Sequence, residues 1–110
     1  MISVGKKPVS RRDDRVSEII AREAARFISE EAGTESLITV IRAQSAAHGE
    51  RVMVFVSVFP IEKARAALSF LEHQREAFSN HLKNHVPFRL PRVDFLLENG
   101  ESLLPERGAQ

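Results

Sequence analysis

The 110-residue sequence contains no cysteine. The chain therefore forms no disulfide, has no thiolate nucleophile and cannot hold zinc through sulfur, and this composition suits a reducing cytosol. No apolar run approaches the about 20 residues that a helix needs to cross a bilayer. The basic start MISVGKKPVSRR has no apolar stretch behind it, so we expect no signal peptide, no membrane association and a cytoplasmic protein.

Tryptophan and tyrosine are also absent, and phenylalanine supplies all seven large aromatic rings. Four of these rings lie in apolar patterns that predict core positions: Phe27, Phe55, Phe78 and Phe95. Phe59 and Phe88, near the ends of predicted elements, are candidates for exposure. Sheets that recognise RNA bases stack them on exposed aromatic rings. The small number of rings expected at the surface therefore argues against base recognition by the sheet.

Motifs for catalysis are missing as well. No serine stands in the Gly-x-Ser-x-Gly context of a nucleophile. His81 and His85 have the spacing of a metal pair on a helix, but no acid follows in the His-Glu-x-x-His manner and no third ligand is near in sequence. Glu72 and Glu76 stand among cations and are predicted to form surface salt bridges. We expect no metal, no cofactor and no enzymatic activity.

Positive charge is present in two separate blocks. Residues 1–27 carry seven Lys/Arg against four Asp/Glu, and residues 73–92 carry four against Glu76 alone, with three histidines besides. The net charge of the whole chain is only +1. Two basic blocks on a nearly neutral chain form one anion-binding patch if the fold brings them together, and are otherwise ordinary solvated surface.

The hydrophobic pattern predicts five elements along the chain. They are a helix from residue 11 to a stop near Gly33, strands at 37–44 and 52–59, a long or broken helix from Ile61 to the prolines at 87 and 91, and a strand at 92–99. Gly49 marks a hairpin turn between the first two strands. Residues 1–10 and 100–110 are predicted to be a flexible arm and a flexible tail around one domain, 11–99.

The second strand, VMVFVSVF, is apolar on both faces, which favours an interior position in a sheet. The last strand follows a helical crossover and is therefore expected to lie parallel to the second. A three-stranded sheet with the helices on one face makes an α+β two-layer sandwich.

A cation interrupts the apolar seam of the second helical region. The seam runs through Ile61, Ala64, Leu68 and Leu71, reaches Arg75, and continues with Phe78 and Leu82. A straight helix would turn Arg75 towards the sheet, where an unpaired charge costs on the order of several kcal/mol. Two interpretations remain open. Either the helix bends at residues 74–76 and turns Arg75 to solvent, or it stays straight and Arg75 extends its head to water from a packed stem.

In this order of elements the sequence resembles the ribosome-binding factor A family over about residues 11–99. The resemblance rests on RVSEIIAREAARFI in the first helix, VMVFVSVF in the second strand and FSNHLKNHVPFRLPRVDFLLEN at the end. It implies a KH-type fold of the second topological kind, in the order α-β-β-α-kink-α-β. It also implies a non-catalytic assembly factor that binds the small (30S) ribosomal subunit and assists late maturation and processing of its RNA.

The resemblance also bears on Arg75. KH domains clamp a nucleic-acid backbone with a Gly-x-x-Gly loop between two helices, and this family reduces the loop to an Ala-x-Gly kink. Alignment of Leu71 and Phe78 with the family's apolar positions places the kink on Gln74, Arg75 and Glu76. Neither the alanine nor the glycine is present there.

RNA contact is predicted for two clusters of side chains. The first is Arg11, Arg12 and Arg15 at the start of the first helix, and the second is Arg75, His81, Lys83, His85, Arg89 and Arg92 around the kink and the link after it. Cationic groups neutralise phosphates irrespective of sequence, and arginine adds forked hydrogen bonds. The predicted partners are the small ribosomal subunit and its RNA, bound by a monomer.

A different kind of function is the alternative. The apolar residues that strand two presents to the uncovered face of the sheet, among Met53, Phe55 and Phe59, would form a docking patch for a protein. The chain would then be a small protein-interaction module that never binds RNA.

Overall fold

A computed structural model of the chain describes residues 11–31 and 37–98, and of Arg11 only the backbone. The elements are α1 (Arg11–Glu31), β1 (Leu37–Ala46), β2 (Arg51–Phe59), α2 (Ala64–His73), α3 (Arg75–Lys83) and β3 (Arg92–Leu97). Their order is the predicted one, and the α+β fold class is confirmed. The predicted arm at 1–10, the tail at 100–110 and the helix stop at Gly33 lie outside the described residues.

The three strands form one sheet with β2 in the middle. β1 runs antiparallel to β2, with Leu37 opposite Phe59, and β3 runs parallel to β2, with Arg92 beside Arg51. Apolar side chains on both faces of β2 predicted this interior position, and the parallel pairing of β3 follows from the helical crossover before it. Both predictions are confirmed.

One face of the sheet carries the core, and the helices cover it. Four valines of β2 on this face are buried: Val52, Val54, Val56 and Val58. The ring of Phe78 on α3 lies 5.2 Å from that of Phe27 on α1 and 5.9 Å from that of Phe95 on β3, so it joins both layers. The four phenylalanines predicted to be core are all buried.

A bulge in β1 decides which of its side chains face outwards. The pairing with β2 shifts between Val40 and Arg42, leaving Ile41 without a partner residue. Before the bulge Val40 packs against the core, and after it Ala43 does so, so the inward row changes from even to odd numbers. Arg42 consequently lies on the outer face, with its guanidinium carbon 4.1 Å from the centre of the Phe55 ring.

The second helical region is interrupted at Gln74, between α2 and α3. The Gln74 N–H is shared between the carbonyl oxygens of Phe70 at 3.0 Å and Leu71 at 3.1 Å, a pattern common at helix ends. Of the two interpretations that the sequence left open, the interrupted helix is confirmed and the straight helix is wrong. Because Gln74 has φ −94° and ψ 1°, and Glu76 lies within α3, neither position needs glycine.

The start of this helical region differs from the prediction. The spacing predicts Ile61 in the apolar seam, but Ile61 lies in a 3₁₀ turn, Ile61–Lys63, and is exposed. The Lys63 N–H bonds to the carbonyl of Pro60 at 2.9 Å, so this tighter turn ends before α2 begins. The remaining apolar members of the seam are buried: Ala64, Leu68, Leu71, Phe78 and Leu82. No helix in the described ranges has the length and apolar character to cross a membrane.

The β1–β2 hairpin turn is tight and left-handed. Ala47, His48 and Gly49 have φ values of 53°, 56° and 85°. A Cβ atom placed on Gly49 would stand 2.8 Å from Oδ1 of Asp13, in the first turns of α1. Glycine at position 49 therefore permits both the positive φ of the turn and the close approach of α1 to the hairpin.

We expect Gly49→Ala to lower the free energy of unfolding by about 1–2 kcal/mol, because a Cβ is disfavoured at positive φ and Asp13 must move as well. Ala47→Gly, in the same turn, should change stability by well under about 1 kcal/mol, since relief of its strained φ offsets the added freedom of the unfolded chain. Urea unfolding of both variants measures the difference. Equal effects of the two changes would contradict this account of the turn.

Candidate nucleic-acid interface

A chain of hydrogen bonds fixes the start of α1 above the hairpin. The Ser45 hydroxyl on β1 donates to the carbonyl oxygen of Asp13 at 3.2 Å. The buried Ser17 hydroxyl lies 2.7 Å from that of Ser45 and, since the Ser45 proton is already used, donates to it. Polar groups inside the two-layer interface are thereby satisfied, and the first turns of α1 are held at the hairpin end of the sheet.

A cleft of about 610 Å³ opens where α1, the hairpin and the link between α3 and β3 meet. It is lined by Arg12, Asp13, Val16, His48, Gly49, Glu50, Phe88, Arg89, Leu90 and Pro91. Arg12 and Arg89 come from the two basic blocks of the sequence, so the fold brings one member of each block to the same cleft. Asp13 and Glu50 balance these two arginines, and the surplus positive charge lies outside the cleft.

Three arginines gather on the carboxylate of Asp94, immediately beyond the cleft. Nε of Arg51 lies 2.6 Å from Oδ2, while Nε of Arg92 and Nη2 of Arg75 lie 3.4 and 3.5 Å from Oδ1. Val93 and Phe95 point into the core, so Asp94 lies on the opposite, outer face of the sheet. Its side chain is only 14% exposed, whereas those of Arg51 and Arg92 are 44% and 61% exposed.

The arginines determine the protonation of Asp94. Partial burial acts to raise the pKa of this carboxyl, but the hydrogen bond from Arg51 and the charges of Arg92, Arg51 and Arg75 together outweigh burial and lower the pKa below its ordinary value. Asp94 is therefore ionised in the folded protein at neutral pH, and its negative charge holds the three arginines together.

The environment of Arg75 corrects the bent-helix interpretation in one respect. That interpretation turns Arg75 out to solvent, whereas the side chain is 29% exposed and lies between two carboxylates. Its Nη1 donates to Glu72 at 2.7 Å, and its Nη2 faces Asp94. The cause is the neighbouring edge strand, whose Asp94 offers a partner that a sequence pattern does not reveal. The predicted salt bridge of Glu72 is confirmed.

His81 faces α1 and has partners there. Its Nε2 lies 2.8 Å from Oε1 of Glu23, and its ring packs against Phe27 at 5.6 Å and Phe78 at 6.0 Å between centroids. His85 stacks on His81 with centroids 4.1 Å apart and donates from Nδ1 to the His81 carbonyl. Within 11–31 and 37–98 no three His, Cys, Asp or Glu side chains lie together as metal ligands.

The predicted RNA contacts thus fall into different places. Arg12 and Arg89 line the cleft, Arg75 and Arg92 join Asp94, and His81 contributes to the α1–α3 interface. The remaining predicted side chains for which the structure gives a position are exposed: Arg15 near the start of α1, and Lys83 and His85 at the end of α3. Arg51 and Arg42 were not predicted, although both add cations to the outer face.

The uncovered face also has an apolar end. Phe59 is 73% exposed beside Leu37, its partner across the strands, and Ile61 is exposed after the end of β2. The exposure predicted for Phe59 is confirmed, while Phe88 is half-buried against the core. Phe55, one of the three residues considered for the docking patch of the alternative function, is buried beneath Arg42.

Two solved structures share this fold. The crystal structure of ribosome-binding factor A from Thermus thermophilus matches with a TM-score of 0.67 and 25% sequence identity, over 77% of this chain and 94% of that chain. The solution structure of a Thermotoga maritima protein, described as a candidate ribosome binding factor A, matches with a TM-score of 0.69 and 15% identity, over 93% of this chain and 100% of that chain. No protein-family profile and no curated protein matches the sequence. The resemblance to ribosome-binding factor A and the KH-like fold class are confirmed by the Thermus structure.

We expect Asp94→Asn to lower the free energy of unfolding at neutral pH by about 1–2 kcal/mol, because the exposed arginines lose a charged acceptor. The folded-state pKa of Asp94 is lowered, so its contribution is complete above the unfolded pKa of about 3.9 and is lost as pH falls through the folded value. Thermal melts of both proteins at about pH 7 and at successively lower pH down to about 2 measure this. A gap that stays constant as pH falls would contradict the assignment.

Proposed function

We propose that this chain, which has the fold of ribosome-binding factor A and resembles it in sequence, is a ribosome assembly factor that binds the small (30S) ribosomal subunit in the cytoplasm. A single copy would contact the ribosomal RNA of the subunit and assist its late maturation and processing. The observation that carries the proposal is the convergence of Arg12 and Arg89, from the two basic blocks, on one cleft at the hairpin end of the sheet.

The chemistry of the residues around that cleft suits a phosphate backbone. Guanidinium groups donate forked hydrogen bonds to phosphate oxygens, and the release of counterions makes such binding strong at low salt and weak at high salt. The large aromatic side chain that lines the cleft, Phe88, is half-buried and offers little surface for base stacking, whereas the imidazole of His48 is exposed. Recognition would follow the shape and charge of the RNA rather than its sequence.

No chemical step is needed for such a factor to act. If the protein binds one conformation of the immature RNA more tightly than another, it shifts the population towards that conformation by its difference in affinity. The proposed factor is accordingly not an enzyme and needs no cofactor. The RNA would be processed by other components while it is held.

We expect Arg12→Gln combined with Arg89→Gln to reduce binding to purified small subunits roughly tenfold or more at about 0.1 M salt, because two phosphate contacts are lost. Co-sedimentation over a salt series measures the loss. Arg22→Gln with Arg26→Gln is the matched control, since it removes the same charge from positions further along α1 that do not line the cleft. Equal binding by the two double variants would contradict the cleft as the contact.

The protein-interaction alternative is supported by the apolar end of the outer face. We expect Leu37→Ser with Phe59→Ser to leave subunit binding unchanged. Both side chains are exposed, and this strand pair lies at the end of the sheet opposite to Arg51. The same co-sedimentation assay measures it. Loss of binding in this variant, with binding retained by the Arg12/Arg89 variant, would replace RNA contact by protein docking.

A further inference from the structure

We propose that the outer face of the sheet is a second contact for the RNA backbone, continuous with the cleft, in which Arg51, Arg92 and Arg42 bind phosphates. This inference rests on the proposed function. It extends the RNA contact from the cleft to the face of the sheet that the helices leave uncovered. Arg42 and Arg51 are its distinguishing residues, since neither lines the cleft.

Arg51 and Arg92 form a paired phosphate site at the start of their strands. They occupy the same register position on β2 and β3, where like charges would repel one another without an intervening anion. Asp94 supplies that anion but neutralises only one charge, and each of the two arginines contacts it through Nε alone within the described residues. Their terminal amino groups, on side chains that are 44% and 61% exposed, can form forked bonds with a second anion.

Arg42 extends this site along the face. Its guanidinium lies over the Phe55 ring, which fixes its position without consuming its N–H donors. Phe55 stands four residues after Arg51 on β2, which places the two arginine positions about 13 Å apart along the strand. An RNA backbone that runs along the strands would therefore meet a positive charge at each end of this stretch.

The cleft and the outer face are joined through the backbone. Glu50 and Pro91 line the cleft, and the residues that follow them are Arg51 and Arg92. The Arg92 N–H donates to the Glu50 carbonyl at 2.9 Å, which fixes the two segments beside each other. Because the cleft is balanced by its own carboxylates, the positive potential rises as RNA leaves the cleft and passes onto the sheet. This continuity favours a nucleic-acid backbone over an acidic protein segment.

The test uses the full chain and a fluorescently labelled RNA hairpin with a single-stranded extension as the probe. Dissociation constants are measured over a salt series for the wild type, for Arg42→Gln with Arg51→Gln, and for the Arg22/Arg26 control. Loss of two contacts should lower the slope of log Kd against log salt by about 1.4–1.8 and weaken binding on the order of tenfold or more at about 0.1 M salt. If removal of Arg42 from Phe55 unfolds the double variant, Arg51→Gln alone should lower the slope by about half as much.

The outcomes separate this inference from the proposed function. An unchanged slope and Kd in the Arg42/Arg51 variant, with binding lost in the Arg12/Arg89 variant, overturns the sheet contact and leaves the proposed function intact. Retained RNA binding with lost co-sedimentation on small subunits also overturns it, in favour of an acidic protein partner. A wild type that binds neither probe nor subunits overturns both.

Discussion

A single carboxylate connects the parts of the molecule on which RNA contact would depend. Asp94 on β3 pairs with Arg51 on β2 and with Arg75, the first residue of α3, so it ties the helical layer around the edge strand to the outer face. Its own position is fixed because Val93 and Phe95 on either side are buried. Without the carboxylate, the three guanidinium groups that gather on it beyond the cleft would repel one another. The arrangement of cations therefore follows from the burial pattern of one short strand.

Much of the fold could be predicted from the sequence, because the clearest sequence patterns mark apolar residues and charges whose burial contributes most to the folding free energy. The doubly apolar VMVFVSVF predicted a central strand. The cost of turning Arg75 towards the core indicated an irregularity there, but left a bend and a straight helix both open. The bulge at Ile41 was not predictable, since a one-residue shift leaves the composition of β1 unchanged and depends on its pairing with β2. Ile61 was misplaced for a related reason, because helical spacing cannot distinguish a first α-helical turn from a preceding 3₁₀ turn.

The candidate site was predicted less completely, because its contacts join residues far apart in the chain. Continued alternation from Val40 would place Arg42 inward, and only the bulge turns it onto Phe55. Arg51 directly precedes the strand predicted from Val52 onwards, and nothing nearby in sequence indicates Asp94 as its partner. His81 was predicted to contact RNA, but its side chain faces α1, and its partner Glu23 is 58 residues away in the chain. Charge clustering thus indicates a candidate region in the sequence, whereas the partners of its side chains are visible only in the fold.

The kink of this chain differs physically from a KH clamp. A Gly-x-x-Gly loop admits a nucleic-acid backbone close to the main chain because glycine carries no side chain. Here Gln74 makes the break at negative φ, and the guanidinium of Arg75 turns to Glu72 and Asp94. The kink therefore keeps its geometry without glycine but offers no bare main chain to a phosphate. In the proposed function, contact with RNA would therefore come from side chains. The kink would contribute because Arg75 on α3 pairs with Asp94, beside Arg51 and Arg92 at the start of β2 and β3.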